Sequence, residues 1–378
     1  MKPGSEAELA EAIGSATDPL VIIGGGTKPI GTPVEGESLS VSGIAGIRRY
    51  EPQALTLVAG AGTPVAEINH ELARHKQMLA FEPMDCRDLL GTDGEPTIGG
   101  IVAANMSGPR RVQTGACRDY LLGVRFIDGS GRVIRNGGRV MKNVTGYDLV
   151  RLLAGSHGTL GVLTEIALKV LPRPEAAGVL LLTGLTDQDA VRCLEAALTS
   201  PFEVTGAAHT PRGLDGDPVT MIRVEGFEDS VRYRCFRLRD LLREFGDIDL
   251  ETGAERIAAG WKWVRDVECF GDEKGDVWRI STKPGDAPSL VENLRRQTEV
   301  AVLYDWGGGL VWIKTEAGTD LREGCGDIDG HATLIRASVA DRLRLGVFHP
   351  QPDRLRRISL GLKAKFDPRG ILNPGLMN

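Results

Sequence analysis

Short apolar blocks separated by polar turns predict a chain of alternating strands and helices. The run LVIIG at residues 20–24 predicts a buried strand, and the apolar positions of 6–13 recur at helical spacing. Residues 120–138 alternate as a hairpin around the turn Asp128-Gly129-Ser130-Gly131. Thr145 and Asp148 have the spacing of a capping box that opens a helix over 147–155. This part of the chain is therefore predicted to mix helices with short strands.

The pattern changes near residues 171–178, where two prolines interrupt it. Four elements are predicted after this boundary, alternately strand and helix: 179–185, 187–198, 218–227 and 230–245. Strands and helices in this order indicate a separate sheet that helices cover on one face. No internal repeat is apparent in the sequence.

These elements predict an α+β protein with two domains, at 1–173 and 174–345. The C-terminal segment 346–378 contains a helix followed by turn residues, and we expect it to pack back on the first domain. A chain of 378 residues is long enough for two hydrophobic cores of this size.

Glycine clusters carry most of the chemical information. The chain has 49 glycines, and they concentrate after the first strand, in IIGGGTK, and between residues 90 and 170. Glycine lets main-chain N–H groups approach a flat polar ligand and take positive φ without a steric penalty. Two separate clusters of this kind predict a long cofactor that is held at both ends.

Charge and cysteine content exclude several classes of function. The formal net charge is −6 with no long basic run, so a nucleic-acid partner is not expected. No run reaches the roughly 20 apolar residues of a membrane span, and the N-terminus is too polar for a signal peptide, so we expect a cytoplasmic protein. The six cysteines form no C-x-x-C pair, which argues against an iron–sulfur cluster or a structural zinc in this chain.

Nucleotide-binding motifs of other folds fit poorly. Gly60-Ala61-Gly62 follows a predicted strand and opens a helix, but the third glycine of a Rossmann fingerprint is missing. The sequence also contains no P-loop motif. The glycine clusters therefore need a different explanation.

The segments VIIGGGTK, PTIGGIVAANMSGPRR, GACRDYLLGVRFIDGSGRV, KNVTGYDLVRLLAGSHGTLGVLTEI and KFDPRGILNPG together resemble the vanillyl-alcohol oxidase flavoprotein family. The resemblance is dense over residues 19–172 and returns at 359–376. It implies a two-subdomain, PCMH-type FAD-binding domain, followed by an antiparallel-sheet-and-helix substrate domain, or cap. The C-terminal tail would return to the FAD domain.

The glycine clusters and the resemblance together give a set of candidate FAD-binding residues. The pyrophosphate suits the main-chain N–H groups of two loops, with the hydroxyls of two threonines as additional donors: Ile23, Gly24, Gly25, Gly26, Thr27, Thr97, Ile98, Gly99 and Gly100. The resemblance implies two further groups, at the adenine or ribose and near the flavin ring: Gly158, Thr159, Leu160, Gly161, Val162, Asn105, Gly108 and Gly115. The closing Asn373-Pro374-Gly375 either packs near the flavin ring or forms a simple C-terminal turn.

Two departures from the family pattern limit what the resemblance implies. Some members attach FAD covalently through a histidine after the first glycine cluster, whereas this chain has Lys28, so we expect non-covalent FAD. Relatives that oxidise 2-hydroxy acids commonly carry a histidine motif with G-D-G-N for a metal. The chain lacks this motif and its six histidines are scattered, so no metal site is expected.

The resemblance implies oxidation of glycolate or a similar 2-hydroxy acid to the 2-oxo acid, such as glyoxylate. An arginine would bind the substrate carboxylate and a histidine would take the hydroxyl proton; the candidates are Arg279, Arg336, His331 and His349, with Lys283 as a further cation. The expected partners are a sister flavoprotein subunit and an iron–sulfur subunit, through which the chain could reach the inner face of a membrane. Five arginines on the predicted helix 230–245 could bind an acidic partner.

Two alternatives remain open at this point. The chain could be an accessory FAD-binding subunit whose sister flavoprotein carries out the chemistry, as the missing histidine motif favours. It could instead be a free-standing oxidase of a sugar, a lactone or an aromatic alcohol, because the cap sets the substrate.

Overall fold

The computed structural model describes residues 1–138, 146–213, 215–271, 274–325 and 329–377. Their contacts form two compact units. The first unit takes Met1–Ser107, Ala116–Arg173 and Pro350–Asn378, and the second takes Gly108–Gly115 and Pro174–His349. Two details differ from the expected boundaries, because 346–349 and the short segment Gly108–Gly115 both group with the second unit.

The first unit contains the following helices: α1 (Glu6–Ser15), α2 (Val65–Arg74), α3 (Arg87–Leu90), α4 (Ile98–Ala104), α6 (Leu149–Leu153) and α13 (Asp353–Phe366). Its strands are β1 (Leu20–Ile23), β2 (Glu37–Ser40), β3 (Ile47–Glu51), β4 (Thr56–Gly60), β5 (Gln77–Met78), β6 (Leu121–Ile127), β7 (Val133–Gly137), β8 (Val162–Lys169) and β9 (Leu171–Pro172). The pairs β1-β2 (parallel) and β5-β9 accompany an antiparallel five-stranded sheet in the order β3-β4-β8-β6-β7.

The second unit is built on one antiparallel sheet. Its helices are α5 (Arg111–Thr114), α7 (Asp187–Leu198), α8 (Glu228–Leu242), α9 (Ala254–Asp266), α10 (Ala287–Arg295), α11 (Leu321–Gly324) and α12 (Val339–Leu345). Its strands are β10 (Ala176–Thr183), β11 (Val204–Thr210), β12 (Val219–Gly226), β13 (Asp249–Glu251), β14 (Asp276–Ser281), β15 (Ala301–Asp305), β16 (Leu310–Thr315) and β17 (His331–Arg336). The eight strands follow the order β13-β10-β12-β11-β15-β16-β14-β17.

Hydrophobic spacing explains most of these elements. The predicted α+β class, the first strand and the hairpin around Asp128 are all confirmed. Asp128 stabilises its turn because Oδ1 accepts hydrogen bonds from the main-chain N–H groups of Ser130 (2.9 Å) and Arg132 (3.0 Å). The helix after residue 147 begins differently from the prediction: Asp148 is its N-cap and accepts from the N–H of Arg151, while Thr145 lies outside the described residues.

The second unit contains a repeat that the sequence did not show. The order β-α-β-β-α-β occurs twice, as β10-α7-β11-β12-α8-β13 and as β14-α10-β15-β16-α11-β17, and the two halves join where β11 pairs with β15. The first half packs against α7 and α8, and the second half packs against α10. The helix α9 covers the opposite face of the first half, so the expected one-sided sheet is wrong there.

The C-terminal helix α13 is fixed to the first unit through its last turns. The ammonium group of Lys363 donates hydrogen bonds to the carbonyl oxygens of Thr159 (2.8 Å) and Leu372 (2.6 Å). The ring of Phe366 lies 6.1 Å from that of Phe126. Across the ranges that the structure describes, no helix combines the length and apolar character needed to cross a membrane.

Candidate flavin-binding and substrate-binding sites

The two glycine clusters that are distant in sequence lie against each other in the first unit. A Cβ atom on Gly25 would lie 1.5 Å from the carbonyl oxygen of Glu95, and one on Gly94 would lie 1.8 Å from the carbonyl oxygen of Gly25. A Cβ on Gly24 would lie 2.6 Å from Oγ1 of Thr97. Because the neighbours of Gly25 and Gly94 are backbone atoms, no side chain fits at these two positions, and glycine is required for the two backbones to meet.

The paired loops also bring polar groups together. Thr97 is the N-cap of α4, and its hydroxyl accepts a hydrogen bond from the N–H of Gly100 (3.3 Å). The ammonium group of Lys28 donates to Oγ1 of Thr27 (3.2 Å), and burial lowers the pKa of this lysine. Gly26 has φ +74° and nothing within 4 Å of its Cβ position. A glycine backbone with an adjacent cation suits a diphosphate, which is the group that FAD presents.

The C-terminal Asn373 ties the first glycine loop to the loop after α6. Its Oδ1 accepts a hydrogen bond from the N–H of Ile22 (2.8 Å), and its Nδ2 donates to the carbonyl oxygen of His157 (2.8 Å). Gly158 has φ +73°, and a Cβ there would lie 3.1 Å from Nδ2 of Asn373. The Asn-Pro-Gly ending therefore holds the two loops together.

The candidates after Gly158 have identifiable structural roles. The hydroxyl of Thr159 donates to the carbonyl oxygen of Ser156 (2.7 Å). A Cβ on Gly161 would lie 2.5 Å from the ring of Phe126, so packing alone requires glycine there. Gly99 is similar, because its Cβ would lie 2.7 Å from the carbonyl oxygen of Ala61. Cofactor contact at these positions remains a prediction.

The three candidates for the flavin ring divide between the two units. Asn105 ends α4 with φ +49°, and its Oδ1 accepts a hydrogen bond from the N–H of Arg118 (3.0 Å). Gly108 and Gly115 bound the short segment of the second unit that contains α5. Arg110 of that segment and Arg223 of β12 both bind the carboxylate of Glu225, also on β12, at 2.8 and 3.1 Å, and all three side chains are largely buried.

Three of the four catalytic candidates come together in the second unit. Arg279 lies on β14, directly opposite Trp312 of β16, and the register places His331 of β17 two residues away on the same face. His349 approaches from the following loop, where its Nδ1 accepts a weak hydrogen bond from the N–H of Ala332 (3.4 Å). Burial lowers the pKa of His331, and the positive charge of Arg279 lowers it further.

Two aromatic residues and one further arginine complete this cluster. The guanidinium carbon of Arg279 lies 5.2 Å from the ring centre of Trp306 and 5.9 Å from that of Trp312. The guanidinium carbon of Arg111 lies 4.4 Å from the centre of Trp306. Sequence reasoning missed Arg111 and Trp306, although a tryptophan before three glycines, W-G-G-G at 306–309, is a signal it could have used. We call Arg111, Arg279, Trp306, Trp312, His331 and His349 the cationic cluster.

The remaining cations have other partners. Arg336 donates hydrogen bonds to the carbonyl oxygens of Phe270 (2.6 Å) and Gly275 (3.2 Å), so it stabilises the loop before β14. Lys283 forms an exposed ion pair with Asp329 at 2.7 Å. These contacts do not favour either residue as the carboxylate ligand. Within the described residues, no group of three histidine, cysteine or acidic side chains could hold a metal ion.

The five arginines of the predicted helix 230–245 do not form one surface. Arg234 is buried and donates hydrogen bonds to the carbonyl oxygens of Glu225 (2.8 Å) and Phe202 (3.3 Å). Arg232 pairs with Asp229 one turn away. The arginine surface proposed for an acidic partner is therefore smaller than the sequence suggested.

Comparison with known proteins identifies the family. Residues 1–137 match a profile described as an FAD binding domain. The chain is 38% identical over 374 residues to glycolate oxidase subunit GlcE of Escherichia coli (strain K12), covering 98% of this chain and 95% of that relative. The chain belongs to the PCMH-type FAD-binding flavoprotein family. The resemblance to vanillyl-alcohol oxidase relatives and the assignment of FAD as cofactor are thus confirmed.

Other members of the PCMH-type family match over shorter regions or with lower identity. A D-lactate dehydrogenase of Archaeoglobus fulgidus is 31% identical over 199 residues, which are 51% of this chain and 43% of that relative. The solved structure of 4-ethylphenol oxidase from Gulosibacter chungangensis has a TM-score of 0.75 at 13% identity, covering 100% of this chain and 88% of that one. A p-cresol methylhydroxylase gives a TM-score of 0.71, also at 13% identity. These two structures support the fold.

Proposed function

We propose that this chain is the FAD-binding subunit of a glycolate oxidase complex and that it oxidises glycolate or a similar 2-hydroxy acid to the 2-oxo acid. The similarity to subunit GlcE along nearly the whole chain carries the proposal. The FAD-linked oxidoreductase character of the family supports it. The cationic cluster supplies side chains that suit a small carboxylate.

The paired glycine loops are the proposed binding site for the cofactor. Main-chain N–H groups of Gly24, Gly25 and Gly26 and the Lys28 ammonium group would hold its diphosphate, with Thr97 and Gly100 beside them. When bound, FAD supplies a two-electron acceptor for the hydrogen on the substrate α-carbon. Because Lys28 stands where some relatives have the attaching histidine, FAD is held non-covalently.

The cationic cluster is the proposed substrate site. Arg279 binds the substrate carboxylate, because a guanidinium offers two parallel N–H donors. His331 or His349 accepts the hydroxyl proton as the C–H bond breaks, so the substrate loses one hydride and one proton. Burial lowers the pKa of both histidines, which keeps them neutral and able to accept a proton near pH 7.

Partner subunits complete the proposal. Relatives of this chain are named as subunits E and D of glycolate oxidase, which supports a complex with a sister flavoprotein. An iron–sulfur subunit would carry the electrons onward, since none of the six cysteines forms a C-x-x-C pair. Through these partners the complex would reach a membrane acceptor.

The decisive experiment is anaerobic reduction of the flavin. The holoprotein is purified alone and together with the proposed sister flavoprotein and iron–sulfur subunits. Each preparation is mixed with glycolate, D-lactate and a control set of sugars and aromatic alcohols. We expect the yellow flavin bands to bleach with 2-hydroxy acids. Bleaching only with an aromatic alcohol or a sugar would instead identify a free-standing oxidase.

The accessory-subunit alternative has two observations in its favour, the missing histidine motif with G-D-G-N and the absence of C-x-x-C pairs for an iron–sulfur cluster. It predicts that the complex oxidises glycolate while the flavin of this chain is not reduced directly. Replacing Arg279 by Gln in the complex separates the two cases. The variant loses turnover if this chain holds the substrate, and keeps it if the sister subunit does.

Denaturation tests the mode of FAD attachment. We expect acid precipitation to release all flavin into the supernatant. Flavin that stays with the pellet would show a covalent bond.

A further inference from the structure

The backbone at Trp306 has a conformation that aromatic residues rarely adopt. Trp306 has φ +53°, and Gly307 (φ +67°) and Gly308 (φ +100°) continue in the left-handed region. Such a conformation persists only where surrounding contacts enforce it, and it is commonest at functional sites. The loop between β15 and β16 therefore needs an explanation beyond a simple turn.

Two hydrogen bonds hold this tryptophan, and the glycine that follows it packs against α7. Its main-chain N–H donates to Oδ1 of Asp305 at 2.7 Å, and its indole Nε1 donates to the carbonyl oxygen of Gly108 at 3.1 Å. A Cβ on Gly307 would lie 2.3 Å from Cδ1 of Leu198, so the loop presses directly on α7. The indole is consequently fixed at both its backbone and its ring nitrogen.

The fixed ring brings two arginines from distant parts of the chain to one place. Arg111 comes from α5 and Arg279 from β14, and their guanidinium carbons lie 4.4 and 5.2 Å from the centre of the Trp306 ring. The negative face of an aromatic ring attracts a guanidinium group, and the charges of both arginines also act on His331.

We propose that Trp306 is a positioning residue that holds Arg111 and Arg279 as one carboxylate-binding pair, which makes Arg111 a second substrate-binding residue. This inference rests on the proposed oxidation of a 2-hydroxy acid. The ring does not touch the reacting atoms in this account. It sets the distance between the two guanidinium groups, and two such groups bind one carboxylate more tightly than either alone.

The pKa of His331 depends on the same two arginines. The charged and titratable groups that act on it are Arg279, His349 and Arg111, and each lowers its pKa in addition to burial. Removing the charge of Arg111, or letting it move away, raises that pKa. A pH profile therefore detects displacement of the pair independently of substrate affinity.

The test compares Trp306→Phe, Trp306→Leu, Arg111→Gln and the double variant Trp306→Leu/Arg111→Gln in the full-length holoprotein with its co-expressed subunits. Trp263→Leu on α9, a half-buried tryptophan outside the cationic cluster, is the matched control. Binding of oxalate, a non-reacting dicarboxylate, is measured by titration calorimetry. The kcat and KM for glycolate are measured separately, with the pH dependence of kcat/KM.

We expect Trp306→Leu and Arg111→Gln each to weaken oxalate binding and raise KM about tenfold, while kcat changes less than about threefold. Trp306→Phe keeps a ring and gives a smaller effect. The double variant is no worse than either single variant, because both remove the same pair. The acid limb of kcat/KM moves to higher pH in Arg111→Gln.

Several results would overturn the inference. Wild-type protein that does not bind oxalate, or Trp306→Leu with unchanged oxalate affinity and KM, excludes a carboxylate pair. Losses that multiply in the double variant exclude a shared role. If Trp306→Leu fails to fold, Arg111→Gln decides alone by its KM and pH profile. Wild-type protein that binds oxalate but whose flavin no 2-hydroxy acid reduces would refute the oxidation and leave the pair standing.

Discussion

The two halves of the eight-stranded sheet share one order of elements and differ in what lies on the face away from their long helices. On the first half, this face packs against α9 through Ile257, Trp261 and Val264, and the guanidinium carbon of its buried Arg223 lies 4.5 Å from the centre of the Trp261 ring. On the second half, the equivalent face carries Arg279, Trp312 and His331. The same backbone arrangement thus serves packing in one half and supplies the cationic cluster in the other.

The residue patterns of the strands account for this difference between the two faces. In β10 the run VLLLT places apolar side chains on both faces, with Leu180 and Leu182 toward α7 and α8 and Val179 toward α9. In β14 the run VWRIS alternates, so Trp278 and Ile280 are buried against α10 while Arg279 faces the other way. A strand buried on both sides reads as a continuous apolar run, and a strand with one polar face alternates.

The shared order of elements does not determine what either half of the sheet carries on its outer face. Gly206 in β11 lies directly beneath Trp261, where a Cβ would be 2.6 Å from the indole ring, so the first half is shaped for its covering helix. The second half has no equivalent helix among its described elements and instead receives Arg111 from the segment Gly108–Gly115. Substitutions on the outer face of the first half should therefore affect stability, and substitutions on the outer face of the second half should affect activity.

The largest expected effect is on the first half. Trp261→Ala removes a side chain that is 5% exposed and packs between α9 and the sheet. We expect the free energy of unfolding to fall by about 3–5 kcal/mol, as for other buried tryptophans. Urea unfolding followed by circular dichroism measures this loss. The KM for glycolate should stay within about twofold, and a rise in KM without loss of stability would contradict the division of roles.

On the second half, Arg279→Gln should impair activity rather than folding. The variant loses the charged ligand for the substrate carboxylate, and kcat/KM for glycolate is expected to fall about 100-fold. Its urea midpoint should match the wild-type value, because Arg279 is only half-buried on the polar face. Equal loss of stability and activity would show that Arg279 is a structural residue like Arg336.

Several elements of the second unit could be predicted from sequence, and those that could not be predicted have physical causes. The helices α7 and α8 and the strands β10 and β12 follow directly from hydrophobic spacing. The doubled order of elements could not be predicted, because the two halves use different residues on their outer faces and share no visible sequence pattern. Arg111 was missed because it follows the glycine cluster that suggests cofactor binding, and only long-range contacts group it with the second unit.

The contacts within the proposed cofactor site were easier to predict than those within the proposed substrate site. Gly25 and Gly94 are dictated by backbone contact, which a sequence displays as clustered glycine. The proposed substrate site depends on which strands neighbour one another. The pairing that aligns Arg279 with Trp312 and brings β17 beside β14 is set by the sheet order, which spacing alone does not reveal.

The pH dependence of kcat/KM provides a finer test of the second half. His331 must be neutral to accept a proton, and its lowered pKa places the acid limb below the ordinary histidine value of about 6.5. Arg279→Gln removes one cause of that lowering, so the acid limb should move to higher pH. An unchanged limb would indicate that His349 or another group accepts the proton.

The smallest expected effect lies at the end of β14, just beyond the cationic cluster. Lys283 is a cation of the second half, but it forms an exposed ion pair with Asp329 (2.7 Å), and such pairs contribute little to stability. Lys283→Gln should therefore leave KM, kcat and the urea midpoint of unfolding unchanged within error. The matched change Arg279→Gln, only four residues earlier, alters kcat/KM strongly. If Lys283→Gln raised KM as much as Arg279→Gln, general positive charge would attract the substrate, and the particular face of β14 would have no special role.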